Sequence, residues 1–322
     1  MDLILYHNNC PDGFCAAMIA KKRYPKAQLI PLNHGEINAV RKVVELVHGK
    51  DALMVDFSLR TRAENIAVFE SARSFKIYDH HKTAEAELKG LDFAVFDMNR
   101  SGAGITWDEL FGKYDHEFFS NKLAEHIDLG AGRKYIGMPE PQRPWYVDYV
   151  QDRDLWVHGL PQTKQVNAYI MTLPFTETAW RGLDNMRPSA AAELGTGALA
   201  HVEHYVREII NHRQMGTIPS GITGVSVTGR HEPVELKYTV AVVNAPYLNI
   251  SEVGNVLTDY AHIGMGWFER GDGVIQFSLR STGDIDVSAI AKQFGGGGHK
   301  HTAGFQMSLK EGRNFLDFIL AR

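Results

Sequence analysis

Residues 77–88 read IYDHHKTAEAEL, an apolar run that closes on Asp79, His80 and His81. Ending a strand takes one polar cap, and Asp79 alone would serve. Two adjacent imidazoles beside a carboxylate point to metal or phosphate chemistry, so other parts of the chain must bring further donors to this strand end. Upstream, LILYH (3–7), QLIPL (28–32) and ALMVDFS (52–58) are apolar runs of the same kind as SFKIYDHH (74–81), and FAVFDM (93–98) follows. Helix-like stretches lie between most of them, the first from about Gly13 to Tyr24. This alternation predicts an α/β fold with a doubly wound, mostly parallel sheet.

Further along, SGAGITWDELF (101–111) opens a helix with Ser101 as its N-cap, and 115–180 reads as mainly helical and rich in aromatics. A long helical pattern over 189–212 leads into the turn-rich MGTIPSGITG (215–224). Strand, helix, hairpin, helix, strand and helix signals then follow, which predicts a small α+β domain. The expected organisation is a first domain at 1–188, a linking helix and loop at 189–222, and a second domain at 223–322.

The chain has 322 residues, 44% hydrophobic and 22% charged, with a net charge of -4. That balance argues against a broad basic surface for long duplex DNA, though not against a local basic patch. No run reaches membrane-spanning length, and MDLILYH lacks the basic start and long apolar core of a signal peptide. Cys10 and Cys15 make neither a disulfide framework nor a zinc pattern, so a reducing cytoplasm is expected and no membrane partner. The oligomeric state is left open between monomer and homodimer.

Three polar groups sit at predicted strand ends: His7 with NNCPDG after it, Asp56, and Asp79 to His81. In open parallel sheets ligands bind outside the carboxyl ends of the strands, so these residues should converge on one crevice. QDRDLW (151–156) is a fourth cluster that could close it. Carboxylates gathered there repel one another and call for cations. Imidazole mixed with carboxylate favours a transition metal such as Mn2+, and two such ions suit in-line displacement at phosphorus. Taken singly, Asp12-Gly13 reads as a helix start, Asp56 as a strand cap and His80 as a structural histidine; their joint placement favours function. Near the end, FGGGGHKHTAGF (294–305) offers backbone N–H groups for an anion nest, with His299 and Lys300 adding charge and Arg280 available to a phosphate. The tryptophans at 145, 156 and 180 read as core rather than as a base-stacking platform.

DHH after a strand, HNNCPDG (7–13) before it and FGGGGHKHTAGF near the end together resemble the DHH phosphoesterase family, in particular members with a DHH-associated C-terminal domain of the GGGH type. These include RecJ-like exonucleases, nano-RNases and cyclic-dinucleotide phosphodiesterases. The resemblance spans nearly the whole chain. It implies a phosphodiesterase acting on short single-stranded oligonucleotides or dinucleotides with two divalent ions, most simply Mn2+. The alternatives are a phosphatase of small phosphorylated nucleotides and a non-catalytic nucleotide-binding protein. By the same resemblance His7, Asp12, Asp56, His80 and Asp152 are metal ligands, with Asp56 bridging and Asp154 competing with Asp152. Asp79, His80 and His81 form the catalytic motif, with His81 facing the substrate phosphate and Asp79 orienting His80. Arg280, Ser281, Gly296, Gly297, Gly298, His299 and Lys300 would bind substrate. One departure stands out: the family's first motif has two aspartates spaced D-x-D, and here Cys10 occupies the position two before Asp12. Asn9 or Cys10 is then a stand-in ligand, or one metal site is weaker.

Overall fold

The computed structural model describes residues 1–33, 39–112, 143–219 and 236–321. Two compact units divide the chain, Met1–Leu199 and Ala200–Arg322.

In the first unit five strands, β1 (Leu3–His7), β2 (Gln28–Leu32), β3 (Asp51–Val55), β4 (Ser74–Asp79) and β5 (Ala94–Phe96), form a parallel sheet in the order β2-β1-β3-β4-β5. The doubly wound fold expected from the alternation is present. Successive residues of one strand face opposite sides of the sheet. Accordingly Ile4, Tyr6, Leu53, Val55 and Tyr78 pack on one face against α1 (Pro11–Arg23), α5 (Gly102–Phe111) and the helix Trp145–Asp154. Leu3, Leu5, Ala52, Met54, Phe75 and Ile77 pack on the other, with α2 (Ala39–Val47), α3 (Arg62–Ser71) and α4 (Lys82–Leu88). Both faces are covered, so the strands read as continuous apolar runs. Chain order reverses between β1 and β3, which opens a crevice at their carboxyl ends. The helices Thr163–Ile170 and Glu177–Arg181 agree with the helical reading of that region; its 115–142 portion lies outside the described residues.

The helix Pro188–Ile210 runs across the division between the units. After it, the stretch expected to be loop carries a strand, β6 (Gln214–Pro219), at the edge of the second sheet. Its glycine and proline suggested a turn, but a proline is tolerated at the end of an edge strand. Residues 220–235, the remainder of that stretch and the start of the expected second domain, lie outside the described residues.

The second unit is built on a six-stranded mixed sheet. With β7 (Leu236–Asn244), β8 (Ile263–Glu269), β9 (Val274–Ser281), β10 (Gly297–His299) and β11 (Thr302–Ser308), its order is β10-β11-β9-β8-β7-β6. The β8–β9 hairpin is as expected. Part of the glycine run is itself strand, since β10 pairs antiparallel with β11. Among the described residues no helix is long and apolar enough to cross a membrane.

Candidate metal centre

The first strand ends on His7, and the chain turns through Asn9 and Cys10 into α1, where Pro11 occupies the first turn that its ring suits. Asp12 is thereby buried at the start of the helix. Both of its oxygens accept from the N-terminus of α5, Oδ2 from Gly102 N–H (2.6 Å) and Oδ1 from Ala103 N–H (3.0 Å). Ser101 caps α5 as its sequence implies, accepting from Gly104 N–H.

Asp56 follows β3 in a left-handed conformation, φ +52°, and is buried. Asn65, fully buried on α3, pins the loop beyond it by bonding both the N–H and the C=O of Leu59. Neither oxygen of Asp56 receives a hydrogen bond of ordinary geometry among the described residues. Oδ1 faces His80 Nε2 at 3.2 Å and Oδ2 faces His7 Nδ1 at 3.4 Å. The backbone held at positive φ costs about 1–3 kcal/mol in an ordinary fold. Burial opposes the charge on Asp56, yet His7 and His80 hold its carboxyl well below the usual range, an arrangement typical of a site.

Asp79 ends β4 and is fully buried. Ser58 Oγ donates to its Oδ2 (2.6 Å), and the backbone N–H groups of His80 and His81 donate to Oδ1. The ring it holds is that of His81, with Nδ1 at 2.7 Å from Oδ1. This corrects the expectation that Asp79 orients the His80 ring: α4 begins at Lys82, and the tight entry into it folds His81 back onto Asp79. Burial works against ionising Asp79, yet His81 holds its carboxyl well below the usual range. Nδ1 of His81 is therefore the donor.

His80 Nε2 meets three carboxylates: Asp56, Asp154 at 3.5 Å and Asp12 at 3.6 Å. Burial opposes a charge on His80, but Asp154, Asp56 and Asp12 push its pKa up to about 10. Burial and the neighbouring Asp56 and Asp154 likewise raise Asp12 well above the carboxylate range. Ionised together, three carboxylates against one imidazolium leave two uncompensated negative charges. Asp12 and Asp56 are buried, where an uncompensated charge costs several kcal/mol, so the group takes up protons or cations. The donors fit the second course. His7, Asp56 and His81 bring ligand atoms within 4.8 Å of one another, and so do Asp12, Asp56 and His80. Two triads that share the Asp56 carboxylate are a donor set that would suit divalent ions.

Asp152 is not in this group. Its oxygens accept from Gly159 N–H (2.8 Å) and Leu160 N–H (3.2 Å), tying down the loop after the helix. Positions two apart on a helix differ in direction by about 200°, so only one of the two aspartates reaches His80, and that one is Asp154. We expect Asp154→Asn to weaken Mn2+ binding by about tenfold or more with little change in melting temperature. Asp152→Asn should instead lower the melting temperature by a few degrees and leave Mn2+ affinity intact. Calorimetric metal titration beside thermal melts checks both, and the reverse pattern would restore Asp152 as the ligand. Cys10 belongs to neither triad; burial, then Asp56, Asp154 and Asp12, push its thiol up.

In the second unit the expected substrate residues are tied into their own domain. Arg280 is buried, and its guanidinium donates to Ser278 Oγ (3.0 Å), Leu279 O (2.8 Å) and Ser251 Oγ (2.6 Å). Ser281 Oγ donates to Ile285 O, and Lys300 Nζ lies 3.7 Å from Asp284. Gly296 and Gly298 meet a packing demand that the anion-nest reading did not include. A Cβ on either would overlap a backbone oxygen of β11, Gly304 O and Thr302 O respectively. Gly297 pairs with Gly304 and His299 with Thr302.

Residues 236–322 match the DHHA1 domain family. The second unit carries a DHHA1 domain. The DHH triplet and its partners lie in the first unit, at the carboxyl end of its sheet. The chain is 28% identical over 327 residues to the uncharacterized protein R106 of Acanthamoeba polyphaga mimivirus, covering 96% of this chain and 68% of that one. Among solved structures, RecJ of Thermus thermophilus in complex with Mn2+ shares the fold at 13% identity with a TM-score of 0.50. That comparison covers 99% of this chain but 51% of RecJ, so the chain spans about half of RecJ's length. The pGpG-specific phosphodiesterase PggH of Vibrio cholerae aligns over 99% of this chain and 98% of its own, at 10% identity and a TM-score of 0.39.

Proposed function

We propose that this chain is a metal-dependent phosphodiesterase that hydrolyses short single-stranded oligonucleotides or dinucleotides. Two divalent ions, Mn2+ foremost, would be held by His7, Asp12, Asp56, His80 and Asp154, with His81 beside them. The observation that carries the reading is the Asp56 carboxylate set between His7 on one side and Asp12 and His80 on the other, with His81 close to the first. Divalent ions in such a place supply positive charge to a phosphoryl oxygen and lower the pKa of a water.

The chain's own groups supply the rest. Asp79 fixes the His81 ring through Nδ1–H, which leaves Nε2 to meet a phosphate oxygen. Burial opposes the charged ring, but Asp79 raises the His81 pKa, so Nε2 can hold a proton against that oxygen. Asp12, secured by two α5 amides, keeps its carboxylate beside Asp56 and His80 without a side-chain search. The DHHA1 domain, through Gly296 to Gly298, His299 and Lys300, is the proposed holder of the substrate's further phosphates and bases. Arg280 and Ser281 shape that domain through the hydrogen bonds given above, and would contact substrate only by exchanging them.

The test is hydrolysis by chelated protein and by protein resupplied with Mn2+. Substrates are end-labelled RNA and DNA of two to five nucleotides, cyclic dinucleotides and a nucleoside 3′-phosphate. Diester cleavage restored by Mn2+ is the expected result. Release of phosphate from the monoester alone would make the protein a phosphatase. Metal binding without turnover of any substrate would make it a nucleotide-binding protein of the same fold.

A further inference from the structure

We propose that Trp156, with Arg153 and His158 beside it, is a stacking platform for a nucleobase of the substrate; the inference rests on the reading of the chain as a nucleotide phosphodiesterase. The sequence placed this tryptophan in the core, and the structure does not. Trp180 is fully buried and Trp107 nearly so, whereas Trp156 keeps 40% of its surface exposed, the one tryptophan among the exposed large apolar side chains of the described residues.

Its place in the chain is tied to the metal centre. The helix Trp145–Asp154 delivers Asp154 to His80 and stops, and Trp156 follows two residues later. Two residues span at most about 7 Å, so the backbone of Trp156 is within that reach of Asp154. The loop is firmly set. Trp156 N–H donates to Arg153 O (2.9 Å), Val157 and His158 N–H to Asp152 O (2.9 and 3.3 Å), and the Asp152 carboxylate takes the next two amides.

Nothing in folding asks for a tryptophan here. Both Trp156 and His158 are left-handed, with φ of +57° and +52°, a conformation that favours glycine or asparagine over bulky side chains. Burial of the indole would be the usual return for so large an apolar group, and here it is incomplete, with 40% of the surface left exposed. Two neighbours hold the ring instead. The Arg153 guanidinium lies over it at 6.0 Å from the centroid, and the His158 ring meets it edge-on at 4.7 Å and 78°. A rigid, exposed indole next to a cation suits a nucleobase with its attached phosphate. Stacking on an aromatic face tolerates any base, which fits an enzyme that reads phosphodiesters rather than sequence.

The experiment compares the Mn2+-loaded full chain with Trp156→Gly and Trp156→Phe. The substrates are an adenylyl dinucleotide and an abasic dinucleotide with the same scissile phosphate. Glycine relieves the left-handed backbone, so Trp156→Gly should melt at or above the wild-type temperature and bind Mn2+ as before. We expect its KM for the adenylyl dinucleotide to rise about tenfold or more, its kinetics on the abasic substrate to stay unchanged, and Trp156→Phe to recover most of the loss. Equal losses on both substrates, or a lower melting temperature with weaker Mn2+ binding, would overturn the platform and make Trp156 a support of the metal centre. A second readout needs no catalysis: adenosine 5′-monophosphate should quench tryptophan fluorescence in wild type and not in Trp156→Phe. Failure of the wild type to cleave any dinucleotide would sink the proposed function, while identical quenching in both proteins would sink the platform.

Discussion

Replacing Asp56 with asparagine is expected to lower turnover by about three orders of magnitude while the protein stays folded. Asp56 is the one carboxylate common to both donor triads, and each of its oxygens faces a different imidazole. Asparagine keeps the volume and tolerates the left-handed backbone that Asp56 adopts, so the change isolates the loss of charge. Alanine would add backbone strain and a cavity and would confuse the two effects. In the metal-free state the substitution also removes one of three carboxylates around His80. His80 then loses a partner that helps raise its pKa, and Asp12 loses the neighbour that most disfavours its ionisation after burial. These effects oppose each other, so the melting temperature without metal should move by only a few degrees. The diagnostic difference is with Mn2+. Wild type should gain thermal stability as Mn2+ is added, because an ion that binds only the folded state stabilises it by mass action. Asp56→Asn should gain little. Turnover within tenfold of wild type, or an undiminished Mn2+-dependent shift, would show that the bridging position has been misassigned.

What the sequence revealed, and what it did not, follows from the range of each interaction. His7, Asp56 and Asp79–His81 were legible because a parallel strand buried on both faces is a plain apolar run, and a polar residue at its end has one place to go. Asp12, a helix start when read alone, was legible only through the resemblance of HNNCPDG to the family's first motif. Its bonds to Gly102 and Ala103 were not, since those amides lie some 90 residues on, at a helix N-terminus for which the sequence offered only the Ser101 cap. The choice between Asp152 and Asp154 depends on where a helix ends and which amides fold back over it, and a four-letter QDRD carries neither fact. Arg280 was read as a phosphate ligand because a guanidinium at a strand end can pair with a phosphate; its bond to Ser251 Oγ comes from a helix 29 residues earlier. In the glycine run, Gly296 and Gly298 answer the close approach of β11, a tertiary demand that looks in sequence like a flexible anion loop. Trp156 was misjudged for the opposite reason. Hydrophobic pattern assigns an indole to the core, and only the left-handed turn after Asp154 leaves it on the surface.

The Asp56 side chain also depends on a residue that has no side chain. A Cβ on Gly102 would overlap Asp56 Cβ and lie 2.8 Å from Oδ1, while the same glycine's N–H holds Asp12. Gly102→Ala must therefore push either α5 or the β3 end away from the crevice. Overpacking of this kind costs about 1–3 kcal/mol, and a shift of about 1 Å in a reacting constellation costs about a hundredfold in rate. We expect a loss of about a hundredfold in turnover, a fall of several degrees in melting temperature and weaker Mn2+ binding, all from adding one methyl group. Gly197 is the control. It lies inside the helix Pro188–Ile210, and a Cβ there would meet nothing within 4 Å. Alanine at that position should stabilise the helix by about 0.5–1 kcal/mol and leave hydrolysis untouched. Melting curves and rates on one dinucleotide, measured for the two variants side by side, decide the matter. If Gly102→Ala retained wild-type rates and Mn2+ affinity, the packing of α5 against Asp56 would not be what sets the geometry of the centre, and the strand ends alone would have to hold it.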